Sequence, residues 1–121
     1  MSITNLTLLL VDDDLFLHKI QTALLTKFGH QVEAVSSGEQ AIQRLSCQSF
    51  DLILMDVMMP GMDGLETTRQ IRKAGIRTPI LALTGNDTPA DRQAAREAGM
   101  NGYLTKPIRK EDLDKLTAQL F

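Results

Sequence analysis

Five times along the chain, a short apolar run is followed by a longer amphipathic stretch, and this alternation constrains the fold more than any other feature. The strand candidates are Leu6–Val11, Gln31–Val35, Leu52–Met55, Ile80–Leu83 and Gly102–Leu104. Most are apolar at successive positions instead of alternate ones. That pattern suits strands buried on both faces, as in a parallel sheet covered by helices.

The helix candidates carry their own start and stop signals. The first runs from about Asp14 to Phe28, with Leu17, Ile20, Leu24 and Phe28 on one stripe and Gly29 as the stop. The second, about Gly38 to Cys47, has Ser37 as N-cap and Gln40 three residues on, a capping-box pattern. The third starts at Asp63, with Glu66 three residues later, and ends near Ala74–Gly75. The fourth opens on "TPAD", with Thr88 as cap and Pro89 at the first helical position, and stops at Gly99. The fifth spans about Lys110 to Leu120, with Leu113, Leu116 and Leu120 on one face. Five strand–helix units with short loops predict a doubly wound α/β domain. The length of 121 residues fits one such domain, and a hydrophobic content of 43% supplies one ordinary core.

Charge and cysteine usage narrow the setting. Thirteen basic residues against fifteen acidic ones leave no basic run dense enough to track a phosphate backbone, so direct nucleic-acid binding is not expected. The lone Cys47 has no internal disulfide partner. No apolar run is long enough to span a membrane, and the N-terminus lacks signal-peptide features. A cytoplasmic protein with no membrane contact is therefore expected.

Ligands of doubly wound sheets bind beyond the carboxyl ends of the strands. The first strand ends at Asp12 and Asp13, the third at Asp56, the fourth at Thr84 and the fifth at Lys106. Three carboxylates, a hydroxyl and an ammonium thus converge on one edge. Packed carboxylates are costly unless a cation or proton offsets them. Oxygen donors without nearby His or Cys favour a hard ion such as Mg²⁺ over zinc. A carboxylate beside Mg²⁺ can attack a phosphoryl group, with Lys106 and Thr84 pairing its oxygens.

The segments "LLLVDDD", "DLILMDVMMPGMDG", "TPILALTG" and "GYLTKPI" together resemble the receiver domain of two-component response regulators, in order and spacing, over nearly the whole chain. The resemblance implies that residues 1–121 form one receiver domain, a (βα)5 flavodoxin-like fold with strand order 2-1-3-4-5. It implies that Asp56 accepts a phosphoryl group from a phosphohistidine on a sensor histidine kinase or histidine phosphotransfer domain, with Mg²⁺ as cofactor. Asp13 would bind the metal directly, Asp12 through water, and Met58 through its backbone carbonyl. Lys106 would bind the phosphoryl group, and Thr84 and Tyr103 would form a switch pair, Tyr103 rotating into space that Thr84 vacates. That movement would alter a surface of the fourth helix, fifth strand and fifth helix that a downstream protein reads. The Met58 and Asn86 side chains would tune the lifetime of the phosphorylated state, and the Lys106–Pro107 bond would be cis. "TPILALTG" and "GMNGYLTKPI" especially resemble receivers of hybrid histidine kinases. The chain stops after the fifth helix, so a stand-alone receiver or one excised from a larger protein is expected.

The remaining features have plainer readings. Asp14 serves as a first-turn acid. His18 and His30 lack ligand spacing and read as surface histidines. Cys47 reads as an inert helix residue, and Met55, Met58, Met59 and Met62 as packing and loop residues. Leu15, Phe16 and Leu17 are consecutive, and a helix cannot bury all three against one sheet. Leu15 and Phe16 are therefore a candidate docking patch beside the acidic site. An alternative is a haloacid-dehalogenase-like phosphohydrolase, because Asp12 and Asp14 fit the start of that family's motif. Phe16 stands where that motif wants Thr or Val. A flavodoxin-like electron carrier fits the fold alone, but three aspartates after the first strand would repel the FMN phosphate.

Overall fold

The computed structural model of the chain describes residues 3–85 and 88–121. Strands β1 (Thr7–Val11), β2 (Gln31–Val35), β3 (Leu52–Asp56), β4 (Ile80–Thr84) and β5 (Gly102–Thr105) alternate with helices α1 (Leu15–Lys27), α2 (Gly38–Cys47), α3 (Gly64–Lys73), α4 (Pro89–Ala98) and α5 (Lys110–Leu120). Every strand pair is parallel, and the order is β2-β1-β3-β4-β5. This is the doubly wound architecture and strand order expected from the sequence.

The apolar runs are continuous because the sheet is covered on both faces. Successive side chains alternate between two cores. Leu8, Leu10, Leu52, Leu54, Leu81, Leu83 and Leu104 pack with Leu25 of α1 and Leu113 of α5. Leu9, Val11, Ile53, Met55, Ile80 and Ala82 pack with Ala41 of α2, Ile71 of α3 and Ala95 of α4. Each fully buried leucine contributes roughly 1.5–3 kcal/mol relative to exposure.

The helix starts follow the sequence signals. Asp14 Oδ1 accepts the Phe16 and Leu17 amides, Ser37 Oγ accepts that of Gln40, Asp63 Oδ1 that of Glu66, and Thr88 Oγ1 that of Asp91. A cap of this kind stabilises a helix by about 1 kcal/mol. Gln40 returns its side-chain oxygen to the amide of Ser36, one residue before the cap.

Three expectations need correction. β1 starts one residue later than predicted, and β3, β4 and β5 each run one residue further, so Asp56, Thr84 and Thr105 are the last members of their strands. The buried line of α1 passes through Gln21 and Leu25, while Ile20 is 40% exposed. Gln21 faces inward because its amide is held by a buried carboxylate, a contact that hydrophobic periodicity does not register. The histidines are not surface residues. His30 is buried and its Nδ1 accepts the Leu6 amide where the chain turns back into β2, and His18 is half-buried. Burial pushes the His30 imidazole below its ordinary pKa, because charging it there costs hydration.

The loop from β3 to α3 is closed by the Gly64 amide donating to the Val57 carbonyl. A Cβ at Gly64 would collide with the Asp56 carbonyl. Gly64→Ala should therefore cost about 1–3 kcal/mol through forced backbone displacement, read as a lowered urea midpoint. An unchanged midpoint would show that the loop absorbs the methyl group freely.

Candidate functional site

Strand register brings the acidic residues together. Val11 pairs with Met55 across β1 and β3, so Asp12 follows beside Asp56. Leu8 and Leu10 face the α1/α5 core, and so do Leu52 and Leu54. Asp12 and Asp56 continue the same alternation. Lys106 follows the end of β5 and reaches past β4 to both, its Nζ lying 3.3 Å from Asp12 Oδ2 and 3.2 Å from Asp56 Oδ1. Ligand oxygens of Asp12, Asp13 and Asp56 lie within 4.8 Å of one another.

The site is buried unevenly. Asp12 is fully buried, Asp56 is buried, and Asp13 is half-exposed at the rim. Asp12 Oδ1 accepts the Asp14 amide at 3.0 Å, and Oδ2 accepts the Gln21 side-chain amide at 2.7 Å. Asp56 Oδ1 accepts the Met58 amide at 3.2 Å and faces Lys106 Nζ. Burial raises the Asp56 carboxyl to about 6. Lys106 opposes that rise and the Asp12 charge adds to it.

The donor set fits a hard divalent cation. It is all oxygen, carries excess negative charge, and opens to solvent at Asp13. Asp12, Asp13 and Asp56 are the side chains that would hold such an ion. The Met58 backbone also borders the site through its amide, while its side chain is 77% exposed.

The switch candidates lie on the other side of the sheet's edge. Thr84 is buried at the end of β4, and its carbonyl accepts the Lys106 amide at 2.9 Å. It lies two residues beyond Ala82 on the same strand face, the one that meets the α2/α3/α4 core. Tyr103 is half-buried and packs against that same core, with the Arg92 guanidinium of α4 5.2 Å from its ring centroid. A groove of about 290 Å³ runs beside Tyr103, Arg92, Lys115 and Leu116, between α4, β5 and α5. Leu15 and Phe16 are 67% and 73% exposed at the start of α1, on the acidic edge. Asp14 is engaged as a helix cap and takes no part in the carboxylate cluster. The Lys106–Pro107 bond is cis. Asn86 lies outside the described residues. Sequence reasoning missed Gln21, since a single polar residue on an amphipathic helix carries no distinguishing signal.

The raised Asp56 pKa has a defined sign. Below the ordinary carboxylate value of 3.8 the proton-bound form favours the folded metal-free protein fully, and that stability is lost as pH rises through about 6. Metal competes with the same proton. The apparent Mg²⁺ affinity should therefore climb between about pH 5 and 7, measured by calorimetry. Asp56→Asn should abolish that climb and stabilise the metal-free fold at pH 7 by on the order of 1–2 kcal/mol. A flat profile in the unaltered protein would contradict the proposed burial effect.

Known proteins share this arrangement. A family profile, the response regulator receiver domain, matches residues 8–118. The transcriptional regulatory protein TcrA of Mycobacterium tuberculosis is 34% identical over 118 residues, covering 98% of this chain and 46% of that protein. The chain thus spans about half the length of such curated relatives. The chemotaxis protein CheY4 of Vibrio cholerae superposes with a TM-score of 0.86 at 31% identity, covering 98% of this chain and all of that one. The receiver domain of sensor histidine kinase PA1611 from Pseudomonas aeruginosa superposes at 0.84 with 37% identity, covering 96% and 97% of the two chains. That structure holds a magnesium ion in its active-site cleft. None of these matches supports the phosphohydrolase reading. The chain belongs to the response regulator receiver domains, the phosphorylation-dependent signalling modules of two-component systems.

Proposed function

We propose that this chain takes a phosphoryl group onto Asp56 from a phosphohistidine of a sensor histidine kinase or phosphotransfer domain. The observation that carries this reading is the convergence of Asp12, Asp13, Asp56 and Lys106 in a chain of the receiver family. An Asp56 carboxylate oxygen forms the new bond to phosphorus, the N–P bond of the donor breaks, and the imidazole leaves and takes up a proton. Mg²⁺ held by Asp13 and Asp56, with Asp12 and the Met58 carbonyl in support, would neutralise charge on the group in transfer. The domain catalyses only its own phosphotransfer and hydrolysis, and is otherwise a signalling element. Residues 1–121 act as one receiver unit, a stand-alone regulator or a part of a larger one such as a hybrid kinase, in the cytoplasm.

The transferred group adds about −1.5 to −2 charge at neutral pH. Lys106 is drawn from the carboxylates towards it, and Thr84 donates to one of its oxygens. A shift from 1:99 to 99:1 needs about 5.5 kcal/mol of differential stabilisation. Charge-assisted hydrogen bonds at ~1.5–3 kcal/mol each supply that with about two to four contacts. Tyr103 follows Thr84, and the Arg92–Tyr103 contact carries the change to α4. The downstream protein reads the α4, β5 and α5 surface. The Leu15 and Phe16 pair supports docking of the phosphoryl donor, since both side chains stand exposed on the reacting edge. The Met58 and Asn86 side chains tune how long the acyl phosphate survives.

Adding beryllofluoride and Mg²⁺ should shift amide resonances around Asp56 and along α4 to α5. Asp56→Asn should show no such response. Silence in the unaltered protein, or an unchanged response in the variant, would overturn the assignment. Thr84→Ala and Tyr103→Ala should each keep the shifts near Asp56 and lose most of those on α4 and β5. Full rearrangement in both would show that the two residues do not couple site to surface.

A further inference from the structure

Gln21 sits on α1, is 2% exposed, and faces the buried carboxylate of Asp12. Its Nε2 donates to Asp12 Oδ2 at 2.7 Å and to the Leu17 carbonyl at 3.2 Å. Both amide protons are therefore used, and both partners are acceptors. Turning the amide over would set its oxygen against a carboxylate and a carbonyl, so this orientation is dictated. The Oε1 atom is buried and has no partner. A buried amide with an unmet acceptor is unfavourable relative to a leucine of similar size. Core packing does not account for a glutamine here; the contact with Asp12 does.

Asp12 Oδ2 has two donors, Gln21 and Lys106. Lys106 is shared with Asp56. In the phosphoryl-switch reading above, on which this inference rests, Lys106 turns to the new group on Asp56. Asp12 is fully buried, and its Oδ2 would then lose the Lys106 contact. We propose that Gln21 is a positioning residue that keeps Asp12 Oδ2 hydrogen-bonded when Lys106 leaves it, and so lowers the free energy of the phosphorylated state relative to the resting one. The amide is neutral, so it satisfies Asp12 without competing electrostatically for the phosphoryl group.

The test separates resting from activated states. In Gln21→Met, near in volume and without donors, Lys106 still holds Asp12 in the resting protein. Affinity for Mg²⁺ alone should change less than about threefold, while affinity for beryllofluoride in saturating Mg²⁺ should fall about tenfold or more, the loss of one hydrogen bond to a charged group. Equal losses in both, or no loss in either, would overturn the proposal, because a merely structural role moves the two together. A second measurement needs no variant. The Gln21 side-chain NH₂ resonances of the unaltered protein should shift when beryllofluoride is added over Mg²⁺, as one donor takes the whole of Oδ2. Static Gln21 resonances beside shifting Asp56 neighbours would refute the inference and leave the phosphoacceptor reading intact. If Asp56 neighbours also stay static, the underlying reading fails and takes this one with it.

Discussion

Two carboxylates share one ammonium at the carboxyl edge of a parallel sheet, and the rest of the site is arranged around that imbalance. Asp12 and Asp56 are buried, yet Lys106 supplies a single positive charge between them. Asp13 adds a third carboxylate at the rim. Buried like charges are tolerated only when protons, cations or hydrogen bonds offset them. The protein uses all three kinds of relief. Asp56 takes up protons more readily than an ordinary carboxylate, Lys106 bridges, and backbone and Gln21 amides donate to Asp12 and to Asp56 Oδ1. A site left short of positive charge in this way is prepared to receive a divalent cation.

The fold creates this concentration through register and alternation. A parallel sheet aligns the carboxyl ends of neighbouring strands, and the β2-β1-β3-β4-β5 order places β1 beside β3. Two cores then divide the labour. The α1/α5 core underlies the acidic cluster, and the α2/α3/α4 core receives Tyr103. β4 lies between β3 and β5 in the sheet order, with Thr84 at its end and the Thr84 carbonyl bonded to the Lys106 amide. Lys106 is thus tied through its backbone to the strand that carries Thr84. Arg92 over the Tyr103 ring ties β5 to α4, a helix whose outer face is exposed.

Much of this was legible in the sequence for specific reasons. Unbroken apolar runs marked strands covered on both faces, and Ser37, Asp63 and Thr88 marked helix starts because those side chains satisfy free amides locally, whereas Asp14, read as a first-turn acid, is the cap of α1. The carboxylate cluster was legible because strand ends in such sheets converge. What the sequence hid depends on long-range partners. Gln21 is nine residues from Asp12, and its inward orientation turns α1 so that Ile20 faces out. His30 is buried only because the chain returns to present the Leu6 amide to it. Neither pairing leaves a periodic trace. The exposure of Leu15 and Phe16 was readable from crowding alone, since three successive apolar residues cannot share one helix face.

The central proposal is that Asp56, and not its acidic neighbours, forms the acyl phosphate at this cation-short edge. The direct test is chemical. The protein is incubated with acetyl phosphate and Mg²⁺, reduced with borohydride to convert the aspartyl phosphate to homoserine, and mapped by peptide mass spectrometry. Conversion confined to Asp56 is the predicted result. Conversion at Asp12 or Asp13, or none in folded protein with Mg²⁺ bound, would contradict the account.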